Sequence, residues 1–417
     1  MNDPSLVTPL GTILPDGWLL KPLGPMCSKI GSGATPKGGA ASYIKRGVAF
    51  IRSQNIFDHR FSRSGLAFID DDSARRLNGV TVEAGDVLLN ITGDGDTIVR
   101  CCVVPTEVLP ARVNQHVVII RPKAGLLSEY LQRYLSHPLI REYMLSHNSG
   151  GSRRAITKGQ IEQFKIVVPP IFAQITISEV LGALDDKIAV NRRLVHVANV
   201  LMKTIYTEVS SRSVVTTSIN EVADVFDGPH ATPQKTETGP WFLSISSLRG
   251  GRLVMTESVH LSNHDFRHWT RRIEPRPGDV LFSYETRLGE AALMPPGIRA
   301  CLGRRMGLLR PRAGVVGSRT LLQAFLSRSF QDTIRQRTIH GATVERISLT
   351  SLPSWPIELP SHGASQLEEV LGCLDDLASN KERENESLAE LRDTLLPKLM
   401  SGEIRVREAE RIVEDAT

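Results

Sequence analysis

From Pro170 onward, apolar residues recur at Ile177, Leu181, Leu184, Ile188, Val195, Ala198, Met202 and Ile205, with Asn191 in the same series. The spacing alternates between four and three, the rhythm that draws one apolar seam along a helix. A second series near the C-terminus, Leu367, Leu371, Leu374, Ala378, Leu388, Leu391 and Leu395, opens on the capping-box pattern Ser365-Gln366-Leu367-Glu368 and is expected to stop at Pro397. Asn191 and Lys381 put a polar residue at the same point of each seam. About 30 residues at ~1.5 Å each make a rod of about 50 Å. A seam that long must face something, and with a compact segment between the two helices, antiparallel pairing is expected. The pairing residues named on this basis are Leu181, Leu184, Ile188, Leu371, Leu374 and Leu388. Elsewhere short apolar runs such as "VAFIRSQ", "DVLLNIT" and "HVVIIRP" alternate with Gly-, Asp- and Pro-rich turns and predict strands. One helix is expected over Ser128–Ser146, before the loop "HNSGGSRRA".

The two seams carry the same phrase, "VLGALDD" at Val180–Asp186 and "VLGCLDD" at Val370–Asp376. Other pairs follow in the same order at separations of 189 to 197 residues: Thr35-Pro36 with Thr232-Pro233, "AGDVLLN" (84–90) with "PGDVLFS" (277–283), "IIRPKAG" (119–125) with "LLRPRAG" (308–314), and "YLQRYLSHP" (130–138) with "LLQAFLSRS" (321–329). "ITKGQIEQFKIVVPP" (156–170) matches "ISLTSLPSWPIELPS" (347–361) in its apolar positions. The chain therefore reads as a tandem duplication of a globular unit and a helix. Its segments are 1–168, a helix at 169–208, 209–360, a helix at 361–402 and a tail at 403–417. A length of 417 residues agrees with more than one core.

Charge sharpens the picture. Net charge is +6 over 1–168, 0 over 169–208, +6 over 209–360 and −7 over 361–417. Two basic globular blocks suit a polyanionic partner, because neutralised phosphates release counterions. Five cysteines without CxxC spacing argue against a disulfide framework or zinc site, so buried free thiols are expected. There is no phosphate-binding G-x-x-x-x-G-K-[ST] loop, no G-x-S-x-G elbow, no H-E-x-x-H pair and no polar-Pro-Pro-aromatic motif. Asp94 and Asp96 in "NITGDGDT" resemble a cation loop, but the second copy, "SYETRLGEA", loses one carboxylate and gains Arg287, so no metal is expected. With no apolar run long enough to span a bilayer and no leader pattern, a cytoplasmic chain without a membrane partner is expected.

The order of these blocks, with "LPDGW" (14–18), "SGATP" (32–36), "GGSRRAIT" (150–157), "PPIFAQ" (169–174) and "KLMSGEIRV" (398–406), resembles the DNA specificity subunits of type I restriction-modification enzymes. The chain departs from that family at Ala173-Gln174, where Glu-Gln is usual, and "PSHGASQ" lacks the pair. The resemblance implies a mixed α/β fold with two similar target-recognition domains separated by two long antiparallel coiled-coil helices, a tandem repeat with a pseudo-two-fold axis. It implies a non-catalytic subunit in which each domain reads one half of a bipartite site on double-stranded DNA while the helices set the spacer and dock two methyltransferase (modification) subunits. S-adenosylmethionine, ATP and Mg would be used by those and by the restriction/translocase subunits, with no cofactor on this chain. Alternatives are an orphan or methylation-only specificity subunit of another phage-defence system, or a non-DNA coiled-coil scaffold.

Arg reads guanine and Asn or Gln reads adenine in the major groove. Candidate DNA contacts are the polar loop residues that match in position but differ in identity between the copies: Gly33, Thr35 and Lys37 with His230, Thr232 and Gln234; Thr92 and Asp94 with Tyr284, Thr286 and Arg287; and Arg153 and Arg154 with Thr343. Arg52, Asn55, Arg249, Arg304 and Arg305 complete the set.

Overall fold

The computed structural model describes residues 8–416 apart from 12, 94–96, 148–154, 230–231, 340–344, 402 and 405. Two compact units divide the chain, Met1–Val190 with Glu384–Thr417, and Asn191–Arg383. The division falls inside both long helices, Ile171–Arg212 and Ala364–Ser401, so each unit owns one globular lobe and half of each helix.

The lobes repeat one topology. In the first unit, Cys27–Ser32, Val117–Pro122, Val87–Asn90 and Cys101–Val103 lie side by side in an antiparallel sheet. In the second, Ala223–Asp227, Met306–Pro311, Val280–Ser283 and Ala291–Leu293 take the same places. A further sheet contains one parallel pairing in each lobe, Val48–Ile51 with Ala111–Val113 and Lys235–Phe242 with Ala300–Cys301. A two-stranded ribbon closes each lobe just before a long helix, Leu19–Pro22 with Lys165–Val168 and Val214–Ser218 with Pro356–Pro360.

The central strands are continuous apolar runs because both faces are covered; Val87, Leu88, Leu89, Val118, Ile119 and Ile120 are fully buried. The shared "GDVL" and "RP" phrases meet across that sheet. Arg121 donates from Nε and Nη2 to Asp86 at 2.7 and 2.9 Å, and Arg310 donates to Asp279 at 2.9 and 2.7 Å. The carboxylates also accept the Glu83 and Arg276 backbone N–H, at 2.7 Å each. Gly85 and Gly278 precede them with φ of +82° and +88°, which the turn requires and which a side chain would strain.

In the first unit, Leu181, Leu184 and Ile188 share a core with Leu388, Leu395, Leu396 and Leu399. The ion pairs Lys187–Glu384 (3.6 Å) and Arg392–Asp185 (3.1 Å) fix the direction there as antiparallel. In the second unit Met202 and Tyr206 share a core with Leu367 and Leu371, while Leu374 is half-buried at its margin. Each fully buried leucine contributes about 1.5–3 kcal/mol. Asn191 is buried, and its amide has no partner among the described residues.

Several expectations are corrected. The central helix runs to Arg212, past position 208. The stretch Ser128–Ser146 is two helices, Ser128–Ser136 and Pro138–Ser146, because Pro138 starts a new first turn capped by His137. Pro397 does not stop its helix, which continues to Ser401. Proline lacks an N–H for the Asp393 carbonyl one turn earlier. The His137 ring supplies the replacement: Nδ1 accepts from the Leu139 N–H at 3.3 Å, and Nε2 donates to the Asp393 carbonyl at 3.0 Å. Glu368 does not close a capping box on its own helix; its carboxylate accepts the Arg319 and Thr320 N–H (3.0 and 2.8 Å), capping the helix Ser318–Leu326 instead. The segment 403–417 contains the helix Val406–Ala416, whose Ala409 and Val413 enter the core of the first unit. Cys27, Cys101, Cys102 and Cys301 are buried, but Cys373 is exposed.

Candidate nucleic-acid interface

In each lobe the Thr-Pro loop buries its proline and exposes the residues around it. Pro36 and Pro233 are buried, whereas Thr35, Lys37, Thr232 and Gln234 face solvent. Thr35 Oγ1 donates to the Gln115 side chain, and Gly33 and Ala34 donate backbone N–H groups to Val117 and Val113 (2.9 and 3.1 Å). The prolines thus anchor loops whose tips differ, a cation in one copy and an amide in the other. His230 lies outside the described residues.

The second loop pair is less uniform. Thr92 is half-buried, with Oγ1 2.7 Å from His116 Nδ1; Asp94 lies outside the described residues. In the second unit Tyr284 is only 4 % exposed, which removes it as a direct contact, and burial pushes its hydroxyl pKa up. Arg287 is spent on the Ile245 and Ser246 carbonyls (3.4 and 3.3 Å) and on Glu290. Arg305 pairs with Glu285 at 2.9 Å and donates to Thr286 at 3.2 Å, leaving Thr286 exposed. Arg153, Arg154 and Thr343 lie outside the described residues.

Two further candidates prove to be scaffolding. Asn55 is fully buried: its side chain accepts the Arg52 N–H (3.0 Å) and donates to the Ser62 and Ser64 carbonyls (2.9 and 3.2 Å). Ser247 holds the equivalent turn in the second unit, accepting the Ser244 N–H at 3.3 Å. Arg52 donates to the Gly65 carbonyl at 2.6 Å and lies over the Tyr43 ring. By contrast Arg249, on the hairpin Leu248–Leu253, and Arg304 are exposed, with no ion pair to a described residue.

The repeated helix phrase has a different task from a solvated face. Asp185 meets Arg392, Arg133 and His59 at 3.1, 3.7 and 3.3 Å, all within the first unit. Asp375 meets Arg252 and Arg319 at 3.0 and 3.3 Å within the second. Gly182 and Gly372 lie under the crossing guanidinium groups; a Cβ at Gly182 would stand 2.7 Å from Arg133 Nη2. The leucines of the phrase face the core, the glycine lets an arginine cross, and the first aspartate ties the helix to its own lobe. Sequence pattern alone missed these arginines, since nothing local marks them.

Residues 15–197 match the family model of the type I restriction modification DNA specificity domain. Over an alignment of 434 residues the chain is 20 % identical to the putative type I restriction enzyme MjaX specificity subunit of Methanocaldococcus jannaschii, covering 96 % of both. Along nearly its whole length the chain is thus similar to a type I specificity subunit. The EcoKI specificity subunit of Escherichia coli K12 is 19 % identical over 297 residues, 65 % of this chain and 62 % of that one. In fold, the S subunit of the M. genitalium type I restriction-modification system superposes with a TM-score of 0.54 at 12 % identity, over 94 % of this chain and 98 % of that one. Among the described residues no helix is long and apolar enough to cross a membrane, and no group of three His, Cys, Asp or Glu side chains could hold a metal ion.

Proposed function

We propose that this specificity subunit reads a bipartite site on double-stranded DNA, one lobe to each half, in the cytoplasm. The observation that carries this is the duplicated lobe with an anchored Thr-Pro loop whose exposed flank changes from Lys37 to Gln234. A conserved frame with a variable tip is what two related readers of different half-sites need, because phosphate contacts position the protein and loop side chains discriminate bases. The chain is the non-catalytic member of its complex.

The helices are proposed to set the unread spacer and to dock two methyltransferase subunits. Support comes from Leu194, Val197 and Leu201, which repeat at heptad spacing beside the buried seam yet stay exposed. An uncovered second seam suits a helix of a partner. Methylation by S-adenosylmethionine on those subunits, and ATP- and Mg-dependent translocation on restriction subunits, complete the proposal.

Methylome sequencing of cells expressing the chain with its modification subunit tests the reading. An interrupted, asymmetric motif is expected, and exchanging residues 209–360 for a relative's should change one half only. A motif that changes in both halves, or no motif, would overturn it. Binding with no preference between sequences as salt rises would favour the scaffold reading instead.

A further inference from the structure

A cleft of the second unit lies between the helix Asn263–Trp269 and the segment that follows it. Its volume is about 430 Å³, and His268, Trp269, Arg271, Arg272, Asp227 and Pro229 line it. Trp269 is half-buried against the cluster of Phe242, Leu261 and Phe266, which makes the wall rigid, and the His268 ring meets it edge-on at 5.7 Å. Arg271 and Arg272 are exposed, and neither guanidinium forms an ion pair or hydrogen bond with a described residue. The carboxylate among the described lining residues, Asp227, lies against the Tyr284 hydroxyl, whose pKa it helps raise. Two uncompensated guanidinium groups side by side on a rigid wall form an anion site in search of its anion.

The first unit has an arginine pair before its own turn, Arg75-Arg76, but there Arg75 is paired with Asp72, and Asp70 and Asp71 stand beside it. Arg271 and Arg272 stand seven and six residues before Gly278 of the shared turn; the residues seven and six before Gly85 are Asn78 and Gly79. Asn78 accepts from Thr81 through its carbonyl at 2.7 Å, and the Gly79 carbonyl accepts from Lys29 Nζ at 3.0 Å. The stretch 70–79 before the shared turn sets Arg75 and Arg76 against Asp70, Asp71 and Asp72 in the first unit, but 263–272 sets Arg267, Arg271 and Arg272 against Asp265 alone in the second.

We propose that Arg271 and Arg272 clamp two backbone phosphates of the duplex in this cleft, so that the second lobe carries more of the sequence-independent affinity than the first. This rests on the DNA-reading proposal above and assigns positioning, not base discrimination, to the pair. The neighbourhood supports DNA over a small free anion: Pro229 of the cleft wall lies on the segment that leads to Thr232 of the candidate reading loop.

The test is anisotropy titration of the full subunit with its modification subunits, against duplexes with and without the methylome-defined site, from 50 to 200 mM salt. Each phosphate contact contributes about 0.9 to the slope of log K against log salt, so R271A/R272A is expected to lower the slope by about 2. Affinity should fall in equal proportion on both duplexes, and R271K/R272K should restore the slope, since a phosphate accepts a point charge. An unchanged slope in R271A/R272A would overturn the inference while leaving the reading of DNA intact. So would a changed preference between duplexes, which would mark a base contact, or pyrophosphate binding to the wild type that R271A/R272A abolishes without altering the DNA slope. If the wild-type complex shows no sequence preference at any salt, the DNA-reading proposal itself fails and takes the clamp with it.

Discussion

Asp86→Asn should destabilise the first unit far more than the number of atoms changed suggests. The Asp86 carboxylate is fully buried, accepts two bonds from Arg121 and one from the Glu83 N–H, and joins two central strands. Removing one partner of a buried pair leaves an uncompensated charge, at a cost of about 3–5 kcal/mol. Arg121 is one-fifth exposed, with 21 % of its side chain open to water, and it keeps its ion pair with Glu83, so the charge left behind is partly compensated. That places the loss near ~3 kcal/mol. With an m value of about 3 kcal/mol per molar urea, the midpoint should fall by about 1 M. Trp18 belongs to the first unit and Trp241, Trp269 and Trp355 to the second, so variants retaining Trp18 alone among the four report the first unit separately. Asp72→Asn is the control: its pair with Arg75 is 68–76 % exposed, and the expected change is within about 0.5 kcal/mol. Asp86→Leu combined with Arg121→Met should recover most of the loss. A shift for Asp86→Asn no larger than for Asp72→Asn would refute the buried clamp, and with it the explanation of why both copies carry "GDVL" and "RP".

Asp375→Asn should weaken the tie between helix and lobe in the second unit by about 1–2 kcal/mol, whereas Asp376→Asn, 70 % exposed, should cost no more than about 0.5 kcal/mol. Hydrogen exchange read at Leu248–Leu253 checks this, since Arg252 of that hairpin loses one of its two acidic partners and keeps Glu382; equal exchange in both variants counts against the tie. Stability of the first unit should also fall with pH through His137. Burial holds its imidazole below the ordinary value near 6.5, outweighing the Asp393 contacts that raise it, with Arg392 adding to the depression. The unfolded chain then takes up its proton first, so the contribution is whole above about pH 6.5 and declines by up to ~1.4 kcal/mol per pH unit as pH drops toward the folded pKa. Urea midpoints between pH 5 and 7 should flatten in His137→Gln, and a slope unchanged by that substitution would show that another group titrates.

The amino-acid sequence by itself determined the two long helices, their seams, the duplicated lobe and the Thr-Pro loops, because periodicity and turn chemistry act over a few residues and need no distant partner. Leu181, Leu184, Ile188, Leu371 and Leu388 are buried as their spacing dictates. What tertiary structure decided is where the polar atoms of those motifs spend their bonds. Asn55 looked like a base reader and is a turn brace; Glu368 looked like the cap of its own helix and caps another 48 residues away at Thr320. Pro397 continues its helix only because His137, 256 residues from Asp393, accepts the task of bonding the freed carbonyl. Arg252 reaches Asp375 across 123 residues, whereas Arg271 and Arg272 pair with no described acid, a difference from Arg252 that no local pattern marks. A long side chain's partner depends on which strands and helices the fold brings within about 3 Å, and that distance appears only once the core has closed.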